Sequence, residues 1–169
     1  GRGTIEEMAH AALERGYEYL VITDHSATHG FGDDVQPDEL RRQIERVREV
    51  DAAIEGIAVR IGTETNILPD GSVDYDDDLL AELDWVVASV HTSFRMDRDA
   101  MTARMVTAAE HPLIDVIAHP TGRLIGRRPA TTSTSRRSSP RRPAPARCWR
   151  STPTPTGATW TTSTPAPRP

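Results

Sequence analysis

The chain has 169 residues, of which 25 are acidic and 20 basic, giving a formal net charge of −5. A single cysteine excludes an internal disulfide framework and a zinc site built on cysteines. The sequence contains no apolar run of membrane length and no signal-peptide pattern, so we expect a cytoplasmic protein that makes no membrane contact.

The charge is unevenly distributed along the chain. Residues 1–130 hold all 25 acidic residues and 13 arginines, which leaves a formal charge of −12. Residues 131–169 hold seven arginines, no acidic residue, and no Ile, Leu, Val or Met. Such a segment cannot bury enough apolar surface to fold alone. We therefore predict a folded domain over residues 1–130 and a disordered Arg/Pro/Ser/Thr tail over residues 131–169.

Four helices are predicted in the folded part. The first covers residues 4–15, because Thr4 and Glu7 form a capping box and Gly16 follows the last apolar residue of the helical period. The second begins at Pro37, a favoured first-turn residue, and stops before Gly56. Shorter helical patterns cover residues 76–83 and 97–110.

Four apolar, strand-like runs alternate with these helices, at residues 19–23, 58–63, 85–90 and 114–118. This alternation is typical of βαβ units around a buried parallel sheet, that is, an α/β fold. Each run leads into residues that can bind a metal. These are, in order, Asp24 with His25, then Glu64, His91 and His119. Because parallel strands end at one edge of a sheet, the sequence predicts that these side chains meet there.

Imidazoles combined with a carboxylate suit Zn²⁺, Mn²⁺ or Fe²⁺. A glutamate can also bridge two ions about 3.5–4 Å apart, as two-metal phosphoesterases require. A single histidine is more often an ordinary core or loop residue, so the prediction depends on the shared position of three histidines after strands.

Four segments then resemble successive motifs of the PHP (polymerase and histidinol phosphatase) domain. They are residues 23–26, residues 62–71, residues 88–91 and residues 118–128, which read Ala-His-Pro-Thr-Gly-Arg-Leu-Ile-Gly-Arg-Arg. The last motif and the Leu-Pro-Asp-Gly turn at 68–71 are similar to the C-terminal PHP domain of bacterial family X DNA polymerases. The resemblance covers residues 1 to about 130.

The resemblance implies a distorted (β/α)₇ barrel with up to three divalent ions, Mn²⁺, Zn²⁺ or Fe²⁺, at the C-terminal ends of its strands. On that pattern His25, Glu64, His91 and His119 are metal ligands, and Glu64 is the bridging and catalytic carboxylate. The implied activity is metal-dependent phosphoester hydrolysis. In this branch it is a 3′-5′ exonuclease or phosphatase that processes DNA 3′ ends in repair.

Arginines follow the last predicted ligand, and Arg123 is the first candidate among them for a catalytic, phosphate-holding role. Arg127 and Arg128 are further candidates, and a solvated basic loop is the alternative for all three.

Other residues near the motifs have weaker claims. Asp24 is expected either to orient His25 or to lie just behind the metal ligands without contacting the metal. His29 is a weaker site candidate, while His10 is expected on a helix surface and His111 just before a strand.

Two family motifs do not occur in this sequence. The family pattern opens with a His-x-His pair on a first strand and an aspartate in the next loop, and it closes with an Asp-x-His pair. We therefore expect a partial barrel without its first strand and C-terminal units, and an incomplete set of ligands.

The tail is hypothesised to be an out-of-frame translation of the rest of the domain. Residues 131–135 can be written in codons that read Asp-Val-Asp-Val in a shifted frame, and residues 148–152 in codons that read Val-Leu-Glu-Val-Asp. The single codon of tryptophan fixes part of that reading at Trp149 and Trp160. The alternative is a genuine basic tail that binds nucleic acid.

Three functions therefore stay open. The first is a metal-dependent nuclease or phosphatase fragment of a family X polymerase. The second is a stand-alone phosphatase of the histidinol-phosphatase type. The third is a non-catalytic remnant whose tail binds nucleic acid. The oligomeric state is not predicted by any pattern in the chain.

Overall fold

The computed structural model describes residues 3–30, 32, 34–123, 125–127 and 130. The predicted tail over residues 131–169 lies outside the described residues, as does Arg128.

Helices and strands alternate along the described chain, as predicted. The elements are α1 (Ile5–Glu14), β1 (Tyr19–His25), α2 (Pro37–Ala53), β2 (Ala58–Asn66), α3 (Asp77–Leu80), β3 (Trp85–Ser89), α4 (Arg98–Glu110) and β4 (Val116–Ile117). The strands form one parallel sheet in the order β1-β2-β3-β4. The α/β prediction is confirmed.

Local side-chain hydrogen bonds fix the helix starts. At α1, Glu7 N donates to Thr4 Oγ1 (3.2 Å) and Thr4 N donates to Glu7 Oε2 (2.8 Å), which completes the expected capping box. At α4, the Asp97 carboxylate accepts from the amides of residues 99 and 100. Both helices therefore begin where the sequence pattern places them.

Strand lengths differ from the expectation in two ways. β1 and β2 extend beyond their apolar runs, so that His25 and Glu64 belong to the strands and form a registered pair. β4, by contrast, has only two residues. The amide of Ile114 donates to His111 O (3.3 Å) in the turn after α4 instead of to β3, and the registered pairs with β3 are those of Val116 and Ile117.

The helices cover one face of the sheet. Val86 and Ala88, two residues apart on β3 and therefore on the same face, belong to the two core clusters. The first cluster joins α1 and α2 to the sheet and the second joins α4 to it. Val59 and Ile61 of β2 pack in the first cluster, so alternation turns Glu64 to the opposite face.

Aspartates occupy the other edge of the sheet, where the strands begin. Val59 N donates to Asp51 Oδ1 (2.7 Å), Ile61 N to Asp84 Oδ2 (3.0 Å), and Val86 N to an oxygen of the aspartate at 115 (2.8 Å). Each carboxylate satisfies an amide in the first half of a strand.

A buried arginine connects two loops that leave the sheet. Arg104 on α4 is 1% exposed and donates to the carbonyls of Thr92 (3.1 Å) and Ile67. These carbonyls lie just beyond β3 and β2, respectively. Arg104 therefore holds α4 to the edge of the sheet where the strands end.

Among the described residues, none of the helices has both the length and the apolar character needed to cross a membrane.

Candidate metal centre

The four predicted ligands lie together around one carboxylate. Glu64 Oε1 lies 3.3 Å from His91 Nε2 and 2.9 Å from His119 Nε2, and Glu64 Oε2 lies 3.6 Å from His25 Nε2. Donor atoms of His25, Glu64 and His91 all lie within 4.8 Å of one another. The structure therefore brings all four residues to one place, at the edge where the sequence predicted them.

Each residue reaches the cluster by a different local route. His25 and Glu64 are registered neighbours on adjacent parallel strands, so their side chains leave the same face of the sheet. His91 lies two residues beyond β3, and its amide donates to Asn66 Oδ1 (3.3 Å) at the end of β2. His119 lies two residues beyond β4 and has a φ of +29°. Positive φ is uncommon for a residue with a β-carbon, although histidine adopts it more often than most.

The electrostatics of the cluster favour an ionised carboxylate and a neutral imidazole. Burial raises the pKa of Glu64, but interactions with the side chains of Ser89 and His119 and the charges of His25 and His119 outweigh it, so its pKa lies below the usual value. Burial also lowers the pKa of His91, and the nearby carboxylate of Glu64 only partly opposes this effect. Metal ligation needs these protonation states, since a protonated imidazole has no lone pair to donate.

His29 lies beside the cluster, as expected from its loop, and it is buried there. Its ring stacks on the ring of His25, with centroids 4.5 Å apart and planes 13° apart, and it is 4% exposed. His29 Nδ1 also contacts the carboxylate of Asp34. A histidine in a Gly-rich loop gives no periodic signal of burial, and only its nearness to His25 in the chain pointed to the site.

Asp24 does not have the orienting role that was one expectation for it. Alternation along β1 sends its side chain to the helix-covered face, away from His25. There its carboxylate accepts a hydrogen bond from Gln43 on α2. The aspartate therefore connects β1 to α2. This hydrogen bond does not support the second expectation, that Asp24 lies just behind the metal ligands.

The remaining candidates lie around or outside this edge. Arg123 and Arg127 are exposed in the turns after His119, and Arg123 N donates to the hydroxyl of Thr121 (3.4 Å). His10 is exposed on α1. The fifth histidine, at position 111, lies before β4, and its Nε2 is 3.2 Å from a carboxylate oxygen of the aspartate at 77.

The donor set fits a divalent metal. Tetrahedral coordination with bonds of about 2.1 Å places donor atoms roughly 3.4 Å apart. The separations from Glu64 Oε1 to His91 and from Glu64 Oε2 to His25, 3.3 and 3.6 Å, are close to that spacing, while Oε1 lies nearer to His119, at 2.9 Å. Nitrogen and carboxylate donors suit Zn²⁺, Mn²⁺ or Fe²⁺. Three imidazoles around one carboxylate can therefore hold a metal ion, and their role as ligands stays a prediction.

Known proteins similar to this chain were found by sequence. No family model matches it. Over 128 residues it is 44% identical to the DNA polymerase/3′-5′ exonuclease PolX of Bacillus subtilis, covering 76% of this chain and 22% of that protein. It is 33% identical over 120 residues to a probable phosphatase of Photobacterium profundum, and 30% identical over 121 residues to one of Caldanaerobacter subterraneus.

Each of the two phosphatase matches covers 69% of this chain. The match covers 46% of the Photobacterium profundum phosphatase and 45% of the Caldanaerobacter subterraneus phosphatase. The chain thus spans less than half the length of each of these three relatives. The PolX match has the higher identity, and the phosphatase matches point to the same domain family. Together with the motifs and the parallel sheet that carries them, these similarities show that the chain belongs to the PHP family and is similar to the PHP domain of PolX.

Proposed function

We propose that this chain carries the metal-dependent phosphoesterase site of a PHP domain and acts on the 3′ ends of DNA, as a 3′-5′ exonuclease or 3′-phosphatase. The observation that carries the proposal is the cluster of His25, His91 and His119 around Glu64. The choice of DNA is supported by the similarity to PolX, whose name describes a 3′-5′ exonuclease. A role in DNA repair and a cytoplasmic location belong to the same proposal.

Glu64 would be the shared carboxylate ligand of the site, as the family resemblance implies. Its Oε2 faces His25, while its Oε1 faces His91 and His119, so each oxygen has its own imidazole partners. When bound, divalent ions at such a site supply an activated water and neutralise phosphate oxygens. The chain's own contribution is to keep Glu64 ionised and the His91 ring neutral. It also holds the two side chains next to each other, with His91 Nε2 3.3 Å from Glu64 Oε1.

Arg123 and Arg127 support a polymeric substrate. Both are exposed and follow His119 in the chain by four and eight residues. A guanidinium group can hold a phosphate through two parallel hydrogen bonds, and such contacts position a nucleic acid without reading its sequence. We propose that Arg123 holds a backbone phosphate next to the scissile bond.

The strand order supports a barrel architecture. In a (β/α) barrel, consecutive strands are neighbours and the helices form an outer ring. The described sheet follows this rule, since its order is β1-β2-β3-β4 and its helices cover one face. We propose that these four units are consecutive parts of a distorted (β/α)₇ PHP barrel.

A second candidate is a phosphatase for small phosphomonoesters, of the histidinol-phosphatase type. The similarity to the probable phosphatases favours it. A small phosphomonoester does not need the arginines that would hold a DNA backbone. Only hydrolysis of DNA should therefore depend on these arginines, which separates the two candidate functions. A metal-binding remnant without catalysis is the third possibility.

The test compares two substrates on the Mn²⁺-loaded chain, a 3′-phosphorylated oligonucleotide and a small phosphate monoester. We expect hydrolysis of the oligonucleotide that is lost in Glu64→Gln and retained in Glu82→Gln, an exposed glutamate after α3. Arg123→Ala should raise the KM for the oligonucleotide and leave the small ester unaffected, whereas Arg48→Ala, exposed on α2, should change neither. Turnover of the small ester alone would favour the phosphatase, and metal binding without turnover of either would favour the remnant.

A further inference from the structure

Asp74, in the loop between β2 and α3, has an unusually dense set of hydrogen bonds. Its Oδ2 accepts from Ser26 Oγ (2.8 Å), Thr28 N (3.0 Å) and Thr28 Oγ1 (2.7 Å). Its Oδ1 accepts from Thr65 Oγ1 (2.7 Å) and Asn66 N (2.9 Å). Five donors from two distant segments therefore converge on one carboxylate.

The donors share a position in the chain, directly after two members of the metal cluster. Ser26 is the residue next to His25, and Thr65 is the residue next to Glu64. Asn66 extends the connection to the third strand, because its Oδ1 accepts from the amide of His91 (3.3 Å). Asp74 thus connects the segments that present three of the four clustered side chains.

Additional bonds close this network on itself. The hydroxyl of Ser26 accepts from Asn66 N (3.0 Å) while it donates to Asp74. Asn66 Nδ2 donates to Thr28 O (3.3 Å) and to Thr28 Oγ1 (3.0 Å). The end of β2 and the loop after β1 are therefore held to each other both through Asp74 and through direct bonds from Asn66 to Ser26 and Thr28.

The same bonds leave Asp74 unsuited to bind a metal itself. A carboxylate offers about four lone-pair sites, and five protein donors already occupy those of Asp74. Burial raises the pKa of Asp74, but the hydrogen bonds from Thr65, Thr28, Ser26 and Asn66 outweigh it and bring the pKa below its usual value. The group is therefore an ionised acceptor enclosed by protein donors.

We propose that Asp74 is a positioning residue for the metal centre, which fixes His25, Glu64 and His91 in a preorganised arrangement without touching the metal or the substrate. This inference rests on the proposed function, since it assumes that the cluster holds a metal. Residues that orient metal ligands from the next layer typically change metal affinity by roughly 10–100-fold when they are replaced. Asp74 acts on three ligands at once through a shared network.

The loop provides a matched control. Asp70 lies four residues away and is exposed, and its carboxylate accepts from Ser72 N (3.0 Å) and Ser72 Oγ (2.7 Å) within the turn. Asp70→Asn and Asp74→Asn make the same chemical change in the same loop. Only the second change weakens the network behind the cluster.

The experiment measures Co²⁺ binding by the full chain, using the visible absorption bands of the bound ion. We expect Asp74→Asn to weaken Co²⁺ binding by about 10–100-fold and to alter the shape of the bands, with Asp70→Asn remaining within twofold of the parent. Far-UV circular dichroism checks that both variants are folded. If Asp74→Asn does not fold, Thr65→Val removes a single donor from Asp74 and should weaken binding in the same direction.

A metal-free measurement separates this inference from the proposed function. In the apo protein, the ring NMR resonances of His25 and His91 should shift in Asp74→Asn and stay in place in Asp70→Asn. Failure of the parent chain to take up Co²⁺ would overturn the proposed metal centre, while the ring resonances would still decide on the positioning role. Unchanged Co²⁺ affinity in a folded Asp74→Asn variant, or unmoved ring resonances, would overturn the positioning role.

Discussion

Gly62 is the residue at which the close approach of β2 and β3 can be tested. A methyl group at this position would lie 2.5 Å from Trp85 O, 2.9 Å from Thr23 Cγ2 and 3.1 Å from Val21 Cγ1. The two side chains can rotate or shift, but the carbonyl belongs to the paired strand and can move only with it. Gly62→Ala should therefore push the two strands apart.

The expected cost follows from these contacts. Overpacking a well-packed site costs roughly 1–3 kcal/mol, and a clash with backbone places Gly62→Ala at about 3 kcal/mol, the upper end. The same displacement should weaken metal binding, because Glu64 lies two residues further along β2 and His91 follows β3.

Urea unfolding followed by far-UV circular dichroism measures the loss in stability. Gly16→Ala is the control, since Gly16 has a φ of +79° with nothing within 4 Å of an added methyl group. Its cost is conformational alone, about 1 kcal/mol. The argument from the close approach is wrong if Gly62→Ala costs no more than Gly16→Ala, or if it leaves Co²⁺ affinity at the parental level.

Further predictions concern single interactions described above. Thr4→Ala removes the capping box of α1 and should cost about 1 kcal/mol in the free energy of unfolding, measured in urea. Arg104→Met leaves the buried carbonyl of Ile67 and the half-buried carbonyl of Thr92 without their donor and should cost about 2–4 kcal/mol. Arg98→Met, exposed on the same helix, should change stability by under about 0.5 kcal/mol. The pKa of Asp74 is lowered by folding, so its contribution to stability is complete above the ordinary pKa of about 3.9 and is lost as the pH falls through the folded value. Between pH 5 and pH 3, the free energy of unfolding of the metal-free protein should therefore fall less in Asp74→Asn than in the parent. Equal falls, measured by urea unfolding at each pH, would contradict a lowered pKa of Asp74.

Much of the fold and the centre of the cluster could be predicted from the sequence because both produce local signals. The capping box at Thr4 depends on residues three apart, and strands that finish near His25 and Glu64 are marked by apolar runs. Parallel pairing then brings those residues to one edge by geometry alone. These features needed no knowledge of distant contacts.

The features that the sequence did not predict depend on long-range partners. Asp74 looks like an ordinary loop aspartate, and its donors Ser26 and Thr28 lie 48 and 46 residues away, with no periodic pattern to connect them. The burial of His29 follows from stacking on His25, which a Gly-rich loop does not indicate. β4 begins later than its apolar run because the turn after α4 uses the amide of Ile114.

The positive φ of His119 has a consequence for how such a chain changes over generations. A residue with a β-carbon in that region carries a strain of about 1 kcal/mol or more, which glycine does not have. Selection for the proposed metal site would keep histidine there, but a lineage freed from that selection would gain stability by exchanging it. Glycine or asparagine at this position would then mark descendants in which the proposed site is no longer under selection. Such a change should come earlier than one at His25, whose extended strand conformation suits any side chain.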